Sequence, residues 1–375
     1  MFRIRSLVDA DRQERIHQAS WKHLIAGIDE FSIRDRSSEA VRRSTEAIAE
    51  GLDVPHEAAW LGIDPSTLSL RQGPLIVSAL GADPPERSVH FHLSLMSFHD
   101  GTVQLARPLP SAEQVAAVLD EARRLNTKLL TLVPGEGENH GLVWENGSTD
   151  LHTLGAIFAA GHSLKESLPE GDGEVMLRRY IDDSINLLGS LPFNEERIDQ
   201  GLPSLNLLWP WGPGFRERAP NLLLERGERA WVESGSLRMQ GLARLVGYRH
   251  GDRNAFGQGT NVRLERLVES ARKHDPTIMV MDGPGFFRAT EKFEELEWMG
   301  REMDSRLFSP LLDDAKNDRL RIVVLSPAWD RDGLGMWFES GMPAENTVPF
   351  DERALEGKLE VREAWKVVRS ALNPR

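Results

Sequence analysis

The chain has 375 residues, 40% apolar and 27% charged, with a net charge of −13 and no cysteine. That composition is ordinary for a globular protein with a full α/β core. It argues against nucleic acid as the main partner, and the missing cysteines exclude disulfides, thiolate catalysis and cysteine-based metal sites. The first ten residues carry no apolar stretch of the kind a signal peptide needs, and no uncharged apolar run approaches a membrane span. The expected location is cytoplasmic.

In chain order, Phe2 to Val8 is a plausible first strand, followed by Asp9, Ala10 and Asp11 where it would end. Carboxylates there suit either a metal or the cap of the next helix. Trp21, Leu24, Ile25 and Ile28 recur at helical spacing, and the charged stretch from Arg34 to Glu50 is a solvated helix or loop. Gly51 to Pro65 has the composition of a turn, a short helix and a second turn, and Gly73-Pro74 marks another break.

From Leu75 to Leu168 the texture changes to a compact α+β unit inserted in the main fold. His90 to Met96 alternates as a strand. Ser111 with Gln114 makes a capping box before the stripe Val115, Val118, Leu119, Ala122 and Leu125. Lys128 to Val133 and Gly141 to Trp144 are further strands. The insertion should hinge at Gly73-Pro74 and near Gly171-Asp172-Gly173, and the main fold should resume with a helix carrying Leu177, Ile181, Ile185 and Leu188. Asn206 to Gly214, Asn-Leu-Leu-Trp-Pro-Trp-Gly-Pro-Gly, predicts a short buried strand ending in a rigid loop, the kind of place where α/β sheets bind ligands. The alternative is a hydrophobic corner in which both tryptophans pack.

The last third alternates helices (about Ser236 to Leu245, to His274, and through Phe293, Met299, Met303 and Leu307) with strands at Thr277 to Met281 and Leu320 to Leu325. A polar loop and a closing helix should follow. Such alternation predicts a mostly parallel sheet with helices on both faces.

Three stretches carry a resemblance. Gly51-Leu52-Asp53-Val54-Pro55-His56 through Leu61-Gly62-Ile63-Asp64-Pro65, then Gly73-Pro74, is the first. Leu191-Pro192-Phe193-Asn194-Glu195-Glu196-Arg197 leading into Asn206 to Gly214 is the second. Gly241 to Gly247 is the third. Together they resemble the archaeal-type cofactor-independent phosphoglycerate mutases of the alkaline phosphatase superfamily, and Gly141 to Trp144 resembles the bacterial branch of that family. The resemblance implies an alkaline-phosphatase-like core over 1–74 and 169–375, with an inserted α+β cap domain over 75–168. It implies glycolytic isomerase chemistry: two divalent metals, manganese or zinc, held by Asp and His, and a serine that carries the phosphoryl group between neighbouring hydroxyls. On the matching positions it implies Asp9 (or Asp11), Asp53 and Asp282 as metal residues and Arg71, His56 and Asn206 at the substrate.

The sequence departs from the family at the chemistry itself. The nucleophile position is Leu52. The metal histidine after Asp282 is Phe286, the Asp-His pair after the next strand is Pro327-Ala328, and no histidine follows His274. The glycine-rich loop keeps Thr260-Asn261 without the preceding aspartate, and Gln72 replaces an arginine, with Arg71 one place away. Three carboxylates do not build two closed metal sites. Asp330 and Asp332 are candidate replacements. His90 and His92 share a strand face and are packing residues or a chelating pair. Ser66, Thr67 and Ser69 follow Pro65 in a turn, where hydroxyls ordinarily cap the backbone.

Three readings follow. The first is a degenerate homologue, without metal or catalytic residue, that keeps the fold and acts as a non-catalytic binding or regulatory protein for a small phosphorylated metabolite. The second is a working metal-dependent mutase or phosphotransferase with relocated ligands. The third is an enzyme of another class reusing the cleft.

Overall fold

The computed structural model describes residues 58, 61–63, 71–216, 219–227, 229–256, 262–281, 293–316, 322–328 and 331–338. By its internal contacts the chain divides into two compact units. One comprises Arg42–Val54 and Leu68–Pro220; the other comprises Met1–Val41, Pro55–Thr67 and Asn221–Arg375. Among the described residues no helix is long and apolar enough to cross a membrane.

The Leu68–Pro220 unit is built around one long strand. Helix α1 (Gln72–Ala79) precedes β1 (Ser88–His99) and β2 (Thr102–Leu105). Then come α2 (Ala112–Ala122), β3 (Leu130–Glu136) and β4 (Asn139–Glu145). The short strands β5 (Leu151–His152) and β6 (Glu170–Gly171) pair with each other. Helices α3 (Glu174–Gly189) and α4 (Pro192–Asp199) lead to β7 (Leu207–Phe215). The capping box foreseen at Ser111 and Gln114 is present at the start of α2. The sheet is antiparallel, in the order β2-β1-β4-β3, with β7 paired to the free side of β1.

Strand β1 is buried on both faces over its first ten residues. Its odd-numbered residues Val89, Phe91, Leu93 and Leu95 enter an apolar core with Leu142 and Trp144 of β4, Val118 and Ala122 of α2, and Leu177, Tyr180 and Leu188 of α3. Each large side chain removed from water there contributes about 1.5–3 kcal/mol. The even-numbered residues include His90, His92 and Ser94, and this is the polar face that period-two alternation predicts. Helix α1 packs onto the sheet through glycines. A Cβ at Gly73 would lie 2.1 Å from the His90 carbonyl oxygen, one at Gly141 would lie 2.9 Å from Val77 Cγ2, and one at Gly214 would lie 2.7 Å from Arg71 Cβ.

The Trp-Pro-Trp-Gly-Pro-Gly stretch corrects an expectation. It is strand throughout, not a strand ending in a loop, and it is antiparallel to β1. The register steps from His90 opposite Gly214 to His92 opposite Trp211, so two residues of β7 face one of β1. Gly212 sits at this bulge with φ +62°, a conformation that only glycine adopts cheaply. The prolines fit because β7 is an edge strand. Along its outer side the Leu208 N–H donates to Ser184 Oγ (3.1 Å), Pro210 has no N–H to satisfy, and the Gly212 N–H donates to Thr153 Oγ1 (3.1 Å). Both tryptophans pack. Trp209 is fully buried with Nε1 donating to the Leu154 carbonyl (2.8 Å), and Trp211 Nε1 donates to Ser94 Oγ (2.9 Å).

Pairing of β7 with β1 also widens the unit. The α+β region was expected to end at 168, with α3 resuming the main fold, yet 169–220 belong to the same compact unit as 75–168. Gly171 and Gly173, expected at the second hinge, are turns within it: Gly173 has φ +86°, and a Cβ there would meet the Trp144 ring at 2.1 Å.

The Pro192 to Arg197 motif holds the approach to β7. Asn194 Nδ2 donates to the carbonyls of Leu188 (2.9 Å) and Leu205 (3.4 Å), and its Oδ1 accepts from the Leu205 N–H (2.7 Å). Arg197 Nε donates to the Pro203 carbonyl (2.7 Å), and burial lowers the pKa of its guanidinium. Asn194→Ala strands these buried backbone groups and should cost about 2–4 kcal/mol of stability. Urea unfolding of the variant checks this; a loss under about 0.5 kcal/mol would refute the role.

The other unit contains three parallel strands in the order β10-β8-β9: β8 (Trp231–Ser234), β9 (Arg249–His250) and β10 (Thr277–Val280). Between them run α5 (Leu237–Leu245) and α6 (Leu264–Lys273), close to their expected limits. Ser236 caps α5, its Oγ accepting from the Met239 N–H. Helix α7 (Phe293–Met303) continues through a π-helical turn, Asp304–Phe308, into α8 (Ser309–Lys316). Strand β11 (Ile322–Ala328) forms an antiparallel hairpin with β12 (Arg331–Phe338), so a second strand stands where a polar loop was expected. The chain is therefore mixed α/β. Parallel pairing is confined to three of its described strands, where a mostly parallel sheet was expected.

Candidate functional site

Parallel pairing brings the carboxyl ends of β8 and β10 side by side, with Ser234 opposite Val280. This is the edge of an α/β sheet at which ligands bind. The chain leaves β8 through Gly235 into the α5 cap, and Ser234 Oγ accepts from the Ser236 N–H (3.0 Å). Asp282 lies two residues past Val280, outside the described residues.

Within this unit Glu233, which the sequence reading did not single out, stands one residue before that edge. It is 1% exposed. Trp231 Nε1 donates to its Oε1 (2.8 Å), and Ser270 Oγ on α6 donates to the same oxygen. The Trp231 ring stacks on His274 at 4.0 Å between centroids and 7° between planes. The adjoining Gly251 carbonyl accepts from Gln240 Nε2 (3.3 Å) and from His250 Nδ1 (3.0 Å), so His250 carries its hydrogen on Nδ1. A glutamate flanked by Val232 and Ser234 inside a strand was the available signal.

Of the residues expected at the substrate, Arg71 and Asn206 lie in the Leu68–Pro220 unit. Arg71 is the residue before α1, with its aliphatic stem against Gly214. Asn206 accepts from the Phe98 N–H at Oδ1 (2.8 Å) and donates from Nδ2 to the Phe98 carbonyl (3.1 Å). That pair of bonds clamps the start of β7 to β1, a structural role where a ligand contact was expected. His56, Asp9, Asp11, Asp53, Leu52, Phe286 and Asp330 lie outside the described residues, as do Thr260 and Asn261. Among the described residues no three His, Asp or Glu side chains gather as a metal-binding group.

His90 and His92 are buried packing residues. His92 is bonded on both ring nitrogens, to Gln72 Nε2 (3.2 Å) and Asn139 Oδ1 (3.0 Å), and lies 4.7 Å from the Trp211 ring. Gln72 has only its amide N–H to give, so His92 Nδ1 accepts and Nε2 donates. Burial, reinforced by the positive charge of Arg216, lowers the His90 pKa to about 4. His140, fully buried on β4, accepts from the Gly135 N–H at Nδ1 (3.0 Å), and burial holds its pKa at about 4 as well.

A cofactor-independent phosphoglycerate mutase from Thermoplasma acidophilum aligns over 95% of this chain and 90% of its own, with a TM-score of 0.52 at 18% identity. A protein of Pyrococcus horikoshii aligns over 84% and 74%, with a TM-score of 0.53 at 14% identity. The fold is thus that of a mixed α/β protein of phosphoglycerate mutase architecture. No family model matches the chain. The 2,3-bisphosphoglycerate-independent phosphoglycerate mutase of Methanosarcina mazei is 21% identical over 80% of this chain and 76% of its own. A probable enzyme of the same name from Geobacter sulfurreducens is 22% identical over 72% and 70%. The chain is a homologue of the archaeal cofactor-independent phosphoglycerate mutases.

Proposed function

We propose that this homologue has lost the two-metal phosphotransfer chemistry and acts as a non-catalytic binding or regulatory protein for a small phosphorylated metabolite. The observation that carries the reading is the donor set. Leucine stands at the nucleophile position, and Asp9 or Asp11, Asp53 and Asp282 are the carboxylates left at the positions matching metal ligands. Phenylalanine, proline and alanine replace the other ligands, and none of them binds a divalent ion. Pro327-Ala328 ends a strand of an antiparallel hairpin, with Ala328 opposite Arg331. Such a residue set does not fit a two-metal centre.

The purified chain, assayed with phosphoglycerate and added manganese, should show no mutase turnover, and elemental analysis should find no stoichiometric metal pair. Leu52→Ser should remain inactive under the same conditions, because restoring a hydroxyl does not restore the groups that stabilise transition-state charge. Two metal ions per chain, or clear turnover by Leu52→Ser, would replace this reading with a mutase using relocated ligands such as Asp330 and Asp332.

A further inference from the structure

The five-stranded sheet runs out at β2, β3 and β7, and an open strand edge offers its N–H and C=O groups to another chain. Each edge is closed in its own way. Beside β2 the chain supplies a backbone neighbour: the Val103 N–H donates to the His162 carbonyl (3.0 Å), and the Val103 carbonyl accepts from the Gly161 N–H (2.8 Å). Beside β7 the acceptors are the hydroxyls of Ser184 and Thr153, both buried. Beside β3 the closure rests on two exposed residues, Asn126 and Thr127, in the turn that leads into the strand.

The Glu145 N–H of β4 donates to the Leu129 carbonyl (2.8 Å), so the alternation of an antiparallel ladder turns the backbone groups of Leu130 and Leu132 outward. Thr127 Oγ1 accepts from the Leu130 N–H (2.9 Å), and Asn126 Oδ1 accepts from the Leu132 N–H (2.8 Å). The Leu130 carbonyl accepts from the Thr127 N–H (2.8 Å). Pro134, two residues further along, has no N–H to offer. The turn thus stands in for a neighbouring strand.

The edge it covers is self-complementary. Two copies of β3 laid antiparallel would pair Leu130 of each with Leu132 of the other, about a two-fold axis at Thr131. Thr131 is exposed and would face Thr131 of the second copy. Leu129, 46% exposed, would face the half-buried Val133. Apolar side chains directly opposite one another stabilise such a pair of strands.

We propose that β3 is a self-pairing edge held shut by Asn126 and Thr127, through which the chain joins a second copy of itself once that turn is displaced. The inference rests on the sheet and is independent of the metabolite-binding reading.

The test is sedimentation of the full chain over a range of concentrations. Asn126→Ala combined with Thr127→Ala frees both N–H groups and should strengthen self-association roughly tenfold or more relative to the wild type. Adding Thr131→Lys should return that variant to wild-type behaviour, because the pairing would set two lysines directly opposite each other. Asn126→Asp combined with Thr127→Ser keeps both acceptors and should match the wild type. Hydrogen exchange at the Leu130 and Leu132 amides is the second readout. It should be slow in the wild type, fast in the dilute alanine variant and slow again when that variant is concentrated. If the double variant does not fold, Asn126→Ala alone decides, and its Leu132 amide should lose protection. Association no stronger than wild type, association that Thr131→Lys leaves unchanged, or full protection of Leu132 in Asn126→Ala overturns the proposal.

Discussion

Gly73→Ala should destabilise the Leu68–Pro220 unit by about 3 kcal/mol or more, the upper range for overpacking. The new Cβ would stand 2.1 Å from the His90 carbonyl oxygen, 2.5 Å from its carbonyl carbon and 2.7 Å from Phe91 Cα. All three are backbone atoms of the central strand, so no side chain can rotate aside. Relief requires α1 to lift from the sheet, which would also part Gly141 from Val77 and Gly214 from Arg71. Gly189→Ala is the matched control. It ends α3, nothing lies within 4 Å of its Cβ position, and its substitution should be neutral or slightly stabilising, by up to about 1 kcal/mol. Urea unfolding read by hydrogen exchange in β1 and β4 reports on this unit alone. Equal midpoints for the two variants would show that α1 does not depend on the close approach.

The same unit should lose stability steeply in mild acid. His90 and His140 each fall from an ordinary pKa of 6.5 to about 4 in the folded chain. Both are held neutral, mainly by burial, so between those values the unfolded chain binds the protons and the folded chain does not. The stabilisation is complete above pH 6.5 and declines as pH falls toward 4. Each histidine accounts for about 3 kcal/mol over that window. At His140 geometry adds to burial. Its Nδ1 accepts from the Gly135 N–H, and a protonated ring would set two N–H groups against each other. Unfolding midpoints at pH 7, 6 and 5, above most of the carboxylate range, isolate the effect. His90→Asn should reduce the pH slope by about half. A midpoint flat from pH 7 to 5 would show that neither ring is held neutral.

Much of the Leu68–Pro220 unit was legible locally. The alternation of β1, the Ser111 and Gln114 capping box and the apolar stripes of α2 and α3 are short-range signals, and they reappear as strand, cap and buried helix faces. The same holds for α5, α6 and β10. Pairing partners were not legible. Residues 207–215 lie more than a hundred positions from the strand they complete, and no local pattern states that β1 has a free side to fill. The Trp-Pro-Trp-Gly-Pro-Gly stretch, read by itself, has the composition of a rigid loop. As an edge strand it uses its prolines where no N–H is needed and its glycine where the register shifts.

At the candidate sites the division follows the same physics. The sequence by itself determined which residue types stand at the matched positions, Leu52, Phe286 and Pro327 among them, and the degenerate reading proposed above rests on those side chains. It also determined the resemblance to a mutase family, which the homologues bear out. Tertiary structure decided what the surviving polar residues do. Asn206, matched to a substrate position, became a strand clamp because β7 starts beside Phe98. His92 became a packing residue because α1 and the β3–β4 turn bring Gln72 and Asn139 to its two nitrogens. Glu233, one glutamate among many in an acidic chain, stands out only once packing encloses it beside Trp231 and Ser270. Hydrogen-bond satisfaction and burial depend on neighbours remote in sequence, and only the packed chain supplies them.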